Sequence, residues 1–289
     1  MPEAFGARLS AAVARYGPLC VGIDPHASLL ASWGLPDDVS GLERFAATTV
    51  EAMAGQVAVV KPQSAFFERH GSRGVAALED VLAAARAAST LTVLDVKRGD
   101  IGSTMAAYAD AYLRDGSPLA ADAVTVSPYL GFGSLQPAVD LALGSGRGLF
   151  VLCLTSNKEG AEVQHARRGA GADVETVAAQ VAREAALLNG PAVDAGDALG
   201  SVGLVVGATI GDAAARTGTN LAAVRGPLLA PGVGAQGAGP AELAAVFGAA
   251  RRQVLASSSR GVLRAGPDVA ALRDAARAAT DEAARALRG

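Results

Sequence analysis

Short apolar segments recur along the chain, and each is followed by a longer segment in which alanine and other apolar residues repeat at helical spacing. The apolar segments are rich in valine, leucine and isoleucine, as are strands that are covered on both faces of a parallel sheet. The eight candidate strands are residues 19–24, 57–61, 91–97, 122–127, 149–155, 202–207, 228–231 and 253–257. The candidate helices are residues 40–55, 73–89, 103–115, 134–144, 173–189, 211–222, 240–250 and 268–288.

This alternation predicts an α/β protein with right-handed crossovers and a parallel sheet. Eight repeats within 289 residues favour a closed (β/α)8 TIM barrel, with a doubly wound open sheet as the alternative. Residues 3–16 predict an additional helix that caps the amino-terminal end of the barrel. No linker rich in serine, proline or charge divides the chain, and residues 157–172 and 189–201 are interpreted as loops. We therefore expect one catalytic barrel domain over residues 1–289.

Composition narrows the class of protein. Hydrophobic residues make up 51% and charged residues 18%, as in globular proteins, and a net charge of −3 argues against a general nucleic-acid binder. The amino terminus lacks a signal-peptide pattern, and no apolar segment reaches the ~20 residues that span a bilayer. We therefore expect a cytoplasmic protein with no membrane association. Cys20 and Cys153 lie within apolar segments and are interpreted as buried hydrophobic residues, not as a disulfide or a metal site.

The densest candidate chemistry lies where the third strand ends. Asp95, Lys97 and Asp100 follow the spacing D-x-K-x-x-D there. Alternate side chains of a strand share a face, so Asp95 and Lys97 are expected on one side, roughly 6–7 Å apart along the chain. The chain has 22 arginines and only three lysines. Because lysine can donate a proton near neutrality and arginine does not, Lys97 is a candidate general acid.

Other strand ends are also polar, and barrel enzymes place their active sites at the carboxyl ends of the strands. Asp24 and Lys61 end the first two strands, and residues 155–157 end the fifth. Asp24 taken alone is also consistent with the N-cap of the next helix. The loops after the last two strands combine glycines with Gln236 and Arg260, which suits a phosphate, although such glycines also suit a plain turn.

Five segments together resemble the orotidine 5′-phosphate decarboxylase family and, within it, the longer bacterial subfamily called type 2. The segments are residues 21–25, 60–63, 94–104, 154–157 and 231–237. The resemblance implies a (β/α)8 barrel that converts orotidine 5′-monophosphate to UMP and CO2, the last step of de novo pyrimidine synthesis. It also implies that no metal or other cofactor takes part, and that the chain forms a homodimer with shared active sites.

The resemblance further implies a role for each site residue. Lys97 is expected to protonate C6 of the pyrimidine, within a network of catalytic charges that Asp95, Asp100 and Lys61 complete. The residues implied in substrate binding are Asp24 and Thr104 at the ribose, Ser156 and Asn157 at the pyrimidine edge, and Gln236 and Arg260 at the phosphate. Asp100 and Thr104 are expected to reach the active site of the second copy in the dimer.

The sequence alone leaves two alternative functions possible. A related group of metal-dependent sugar-phosphate decarboxylases shares the D-x-K-x-x-D barrel, but is understood to place a glutamate at the second strand end. This chain has Lys61 there, and a cation beside a divalent metal ion is unfavourable. The second alternative is a non-catalytic barrel that binds a nucleotide. Two lysines and two acids at the reacting end argue against it.

Overall fold

The protein forms a closed parallel barrel in a computed structural model that describes residues 2–171, 174–233 and 237–288. Its strands are β1 (Leu19–Ile23), β2 (Val59–Pro62), β3 (Leu91–Arg98), β4 (Ala123–Val126), β5 (Gly148–Leu154), β6 (Arg167–Arg168), β7 (Glu175–Thr176), β8 (Val202–Val206), β9 (Leu228–Pro231) and β10 (Val254–Ser258). The barrel order is β1-β10-β9-β8-β5-β4-β3-β2, while β6 and β7 form a separate antiparallel pair. The predicted (β/α)8 TIM barrel is therefore confirmed, and the open sheet is excluded because β1 pairs with β10.

Helices surround the barrel and connect its strands. They are α1 (Phe5–Tyr16), α2 (Ala27–Ser32), α3 (Val39–Met53), α4 (Ser64–Glu68), α5 (Gly71–Ala87), α6 (Gly102–Leu113), α7 (Gln136–Gly144), α8 (Gly160–Gln164), α9 (Val177–Asp194), α10 (Ala213–Thr217), α11 (Pro240–Phe247), α12 (Arg260–Leu263) and α13 (Val269–Arg288). Short 3-10 segments cover Phe132–Leu135, Ala222–Val224 and Gly248–Gln253. No helix within the described ranges has the length and apolar character needed to cross a membrane.

The amino-terminal end of the barrel is filled by side chains of α1. Phe5 and Leu9 are buried and belong to the same apolar cluster as Cys20 and Phe150 from the strands. The rings of Phe5 and Phe150 meet edge to face, with centroids 6.1 Å apart, a favoured aromatic geometry. Both Cys20 and Cys153 are buried free thiols whose pKa burial raises to about 12. The amino-terminal end is thus closed, and the carboxyl ends of the strands are left to form the site.

Three segments differ from the sequence prediction for local reasons. The helix predicted over 211–222 is the short α10, which ends at Gly218 in the left-handed conformation, with φ +68°. The predicted loop 189–201 instead begins with the last six residues of α9, where buried Asn189 hydrogen-bonds Val202 through both its amide nitrogen and oxygen. The predicted loop 157–172 contains α8 and β6.

Candidate active site

A cavity of about 600 Å³ opens at the carboxyl ends of the barrel strands, where such folds place their active sites. It brings together seven of the residues predicted for the site: Asp24, Lys61, Asp95, Lys97, Ser156, Asn157 and Arg260. Its walls include loops after β1, β2, β5, β8, β9 and β10, together with residues inside β3 and β4. Residues that are far apart in the sequence therefore share one cavity.

The β3 strand bulges where it carries the candidate catalytic residues. Leu94 pairs with Val124 of β4, and the next pair is Arg98 with Val126. Three residues of β3, numbers 95–97, therefore lie opposite the single residue Thr125. Within this bulge Lys97 has φ +47°, a left-handed conformation that costs a non-glycine residue ~1–2 kcal/mol. Asp95 and Lys97 both face the cavity, as expected, but they do so through a bulge and not through plain alternation. Strained backbone of this kind is concentrated at functional sites.

Four side chains of alternating charge form a row inside the cavity. The Lys61 ammonium nitrogen lies 3.8 Å from Asp24 Oδ1 and 3.1 Å from Asp95 Oδ2. The Lys97 ammonium donates to Asp95 Oδ1 at 2.6 Å. The Lys61 side chain is 7% exposed, whereas that of Lys97 is 44% exposed. Lys61 is thus enclosed between two carboxylates, and Lys97 extends into the open part of the cavity.

Burial and charge act in opposite directions on this row. Burial by itself lowers the pKa of Lys61, but the carboxylates of Asp24 and Asp95 outweigh it and raise that pKa above its ordinary value. Burial by itself raises the pKa of Asp95, but Lys61 and Lys97 outweigh it and lower that pKa, helped by a hydrogen bond from Thr125. Asp95 is therefore ionised at neutral pH, and so is Lys61.

One carboxylate oxygen in the row accepts no hydrogen bond within the described residues. Asp24 Oδ1 is buried and has no hydrogen-bond partner among the described residues. Buried polar atoms in folded proteins almost always have a partner, so an orphan of this kind indicates a place for a ligand group. A hydroxyl of a bound substrate would supply the missing donor.

Several polar residues of the cavity were not assigned a role from the sequence, among them Gln63, Thr125 and Gln164. The side-chain amide of Gln63 is oriented with its nitrogen toward acceptors and its oxygen toward a donor. It donates to Asp95 O at 3.0 Å and accepts from Lys97 Nζ at 3.3 Å. Thr125 bonds Asp95, and Gln164 of α8 bonds Thr155. The signal for Gln63 was its place two residues after Lys61, where a strand puts both on one face. The sequence signal for Thr125 was a polar residue within an apolar strand. Gln164 had no such signal, because it lies in a segment interpreted as a loop.

The loop after β5 contributes Ser156 and Asn157 to the rim of the cavity. Gln164 fixes this loop, because it accepts from Thr155 N at 2.9 Å and donates to Thr155 Oγ1 at 2.6 Å. Gly207 allows close approach, since a Cβ there would lie 3.1 Å from Ser156. The loop is thus anchored to α8 on one side and packs against the β8 end on the other.

Arg260 begins α12 at the end of β10 and lines the cavity together with Gly232 and Gly237. Gly232 has φ +89°, and a Cβ at Gly237 would lie 1.8 Å from Gly232 O. Both positions therefore require glycine, which explains the composition of the loop. Gln236, predicted to bind phosphate, lies outside the described residues.

Asp100 and Thr104 stand apart from the rest of the predicted set. Neither is among the described residues that line the cavity. Asp100 accepts a hydrogen bond from Ile101 N at 2.8 Å, and Thr104 is exposed in the first turn of α6. The described lining of the chain's own cavity therefore contains neither residue.

The chain is similar in sequence to one protein family and to named members of it. The model of the orotidine 5′-phosphate decarboxylase / HUMPS family matches residues 17–275. The chain belongs to this family. It is 64% identical to the orotidine 5′-phosphate decarboxylase of Streptomyces coelicolor over 276 residues, covering 95% of each protein. It is 63% identical to the decarboxylase of Salinispora arenicola, covering 99% of each.

The fold agrees with that of solved members of the decarboxylase family. The structure of Leishmania donovani OMP decarboxylase superposes with a TM-score of 0.73 at 34% identity, covering 99% of each chain. The predicted resemblance is therefore confirmed at the level of the family and the fold. The name of the family model covers two kinds of protein, and the Streptomyces and Salinispora relatives are both named orotidine 5′-phosphate decarboxylase.

Proposed function

We propose that the protein is an orotidine 5′-phosphate decarboxylase, which converts orotidine 5′-monophosphate to UMP and CO2. The observation that carries this conclusion is the row Asp24, Lys61, Asp95 and Lys97, with the Lys97 ammonium extending into a 600 Å³ cavity. The high identity to named decarboxylases over nearly the whole chain supports it independently.

The reaction needs a fixed positive charge at one carbon atom. When the bond from C6 to the carboxyl carbon breaks, CO2 leaves and the electron pair stays on C6, which has no neighbouring carbonyl to accept it. A preorganised ammonium group aimed at C6 stabilises this charge and then delivers the proton that completes UMP. We assign this step to Lys97. Asp95 holds the ammonium in place, and Lys61 in turn holds Asp95. The partial exposure of Lys97 leaves its ammonium accessible to the substrate.

The same proposal assigns the binding groups. The orphaned Oδ1 of Asp24 accepts a ribose hydroxyl, and Ser156 with Asn157 contacts the edge of the pyrimidine. Arg260 holds the phosphate through its planar guanidinium, and Gln236 joins it. Phosphate lies far from the bond that breaks, so its binding energy supports the chemical step by holding C6 against Lys97.

We further propose a homodimer in which Asp100 and Thr104 complete the site of the second copy. Support comes from exposed apolar side chains beside Asp100: Ile101 is 62% exposed and Tyr129 is 76% exposed. The loops that carry them lie side by side, because Ser127 N donates to Arg98 O at 2.8 Å. Large exposed apolar residues grouped in this way are typical of surfaces that bind another protein.

Mixing two inactive variants tests the shared site. Lys97→Ala and Asp100→Ala are each expected to lack turnover and to keep the fold. If the dimer shares its sites, a re-equilibrated equimolar mixture regains about one quarter of wild-type activity, because half of the dimers are mixed and each has one intact site. No recovery in a mixture shown to exchange subunits would contradict the shared site. Full turnover by Lys97→Ala would remove Lys97 as the proton donor.

The proposal also includes the domain organisation and the cellular location of the protein. The proposed organisation is a single domain over residues 1–289, for which we expect limited proteolysis to give no stable fragment pair. The proposed location is the cytoplasm, which fractionation of cells that express the protein would test.

A further inference from the structure

Thr125 is a buried polar residue within an otherwise apolar strand. It is 1% exposed, and its neighbours in β4 are Ala123, Val124 and Val126. Its hydroxyl lies at the wall of the cavity, opposite the bulge of β3. A valine would match its shape and would suit a buried strand as well or better. The hydroxyl therefore needs an explanation other than packing.

The hydroxyl of Thr125 joins the two residues at the centre of the proposed mechanism. It accepts a hydrogen bond from the backbone N–H of Lys97 at 2.9 Å. It donates its proton to Asp95 Oδ1 at 2.8 Å. A hydroxyl has one proton to donate, so accepting from Lys97 N directs that proton toward Asp95. The same carboxylate oxygen accepts from the Lys97 ammonium at 2.6 Å.

The bulge explains why a side chain is needed at this place. Three β3 residues face one β4 residue, so the regular ladder cannot supply an acceptor for every N–H of the bulge. The Thr125 hydroxyl takes the place of a backbone carbonyl at Lys97 N. It does so where Lys97 adopts φ +47°, a conformation that must be held by its surroundings.

We propose that Thr125 is a positioning residue, whose hydroxyl holds the Lys97 backbone in its left-handed conformation and orients Asp95 toward the Lys97 ammonium. This inference rests on the proposed role of Lys97 as the proton donor. Gln63 shares only the contact with the carboxylate, because its amide donates to Asp95 Oδ2 at 2.8 Å. The hydrogen bond to the Lys97 backbone belongs to Thr125.

The test compares Thr125→Val, which keeps the shape, with Thr125→Ser, which keeps the hydroxyl. Thr49→Val is the matched control, because Thr49 is equally buried but donates to Phe45 O inside α3, away from the cavity. For each variant, kcat and KM for orotidine 5′-monophosphate are measured, together with the affinity for UMP and the melting temperature.

The positioning role predicts a loss in kcat and not in binding. In Thr125→Val, kcat falls by about 10- to 100-fold, as for the loss of a hydrogen bond to a charged group. KM and UMP affinity stay within about twofold of wild type, because the phosphate and ribose contacts are untouched. Thr125→Ser recovers most of kcat, and Thr49→Val keeps wild-type kcat. If Thr125→Val does not fold, Thr125→Cys gives the same comparison, since a thiol is similar in size and a weak donor.

The outcomes separate this inference from the proposed function. A wild-type protein with no turnover refutes the proposed function itself. Wild-type turnover with an unchanged kcat in Thr125→Val overturns the positioning role alone. So does a Thr125→Ser variant as slow as Thr125→Val, because the hydroxyl is then not what matters. A rise in KM at constant kcat also overturns it, since that pattern indicates a binding contact.

Discussion

Replacing Asp95 by asparagine removes one negative charge from between two ammonium groups while keeping the size of the side chain. Asp95 is 10% exposed and lies 3.1 Å from the Lys61 ammonium, whose side chain is 7% exposed. At that distance the attraction is about 5 kcal/mol for an effective dielectric constant of about 20. Much of this attraction offsets the free-energy cost of removing the two charges from water. Removing one partner of a buried ion pair therefore lowers stability by ~3–5 kcal/mol. We expect Asp95→Asn to lower the free energy of unfolding by about 3 kcal/mol at pH 7.

The size of this loss should depend on pH in a defined direction. The folded-state pKa of Asp95 is lowered, so its stabilising effect is complete above the unfolded-state pKa of about 3.9. The effect disappears as the pH falls through the lower folded-state pKa. The folded-state pKa of Lys61 is raised, so its contribution is lost only at alkaline pH. The difference between wild type and Asp95→Asn is therefore constant between about pH 5 and 8 and shrinks in more acidic solution.

Urea unfolding of both proteins at pH 7 and at the lowest pH where wild type stays folded measures the difference. Asp274→Asn is the control, because Asp274 is 74% exposed and pairs with Arg277 at 3.3 Å on the surface of α13. Exposed pairs of this kind contribute ~0–1 kcal/mol. The reasoning is refuted if Asp95→Asn matches wild type at pH 7, or if its deficit grows toward acidic pH.

Other residues give predictions at separate parts of the molecule. Arg260→Ala should raise KM for orotidine 5′-monophosphate about 10- to 100-fold, as expected for a lost charge-assisted contact to phosphate, and steady-state kinetics that show an unchanged KM would exclude that contact. Phe5→Ala should lower the free energy of unfolding by ~3–5 kcal/mol through a cavity at the closed end of the barrel, while kinetics at 25 °C stay as in wild type; altered kinetics would show that α1 affects the site. Tyr129→Asp should shift the protein from dimer to monomer in sedimentation at micromolar concentration, because it places a charge on a side chain that is 76% exposed in the apolar group beside Asp100; an unchanged dimer would move the interface elsewhere.

The barrel and its site differ in how far the sequence predicts them. Each of the eight barrel strands was predicted within a few residues, because strands buried on both faces carry near-continuous apolar runs. Asp24, Lys61, Asp95 and Lys97 were expected together for a geometric reason: the carboxyl ends of parallel strands meet at one end of the barrel. The structure places all four in one cavity.

Pairing between strands is what the sequence did not reveal. The spacing of Asp95 and Lys97 predicted plain alternation, and the bulge depends on how β3 pairs with β4, which no local pattern encodes. Gln63 and Thr125 gain their significance from contacts across neighbouring strands, so their residue type alone does not identify them. The roles of Asp100 and Thr104 came from the resemblance and depend on a second copy of the chain.

The central claim is tested most directly by the ultraviolet absorbance of orotidine 5′-monophosphate mixed with the purified protein, with and without EDTA. The account predicts that the spectrum changes to that of UMP at the same rate in both samples, because the Lys97 ammonium and not a metal ion supplies the positive charge at C6. A reaction that EDTA abolishes would contradict the assignment of that charge to Lys97. No change in either sample, with a protein that UMP still protects against heat, would contradict the decarboxylase and indicate a nucleotide-binding barrel.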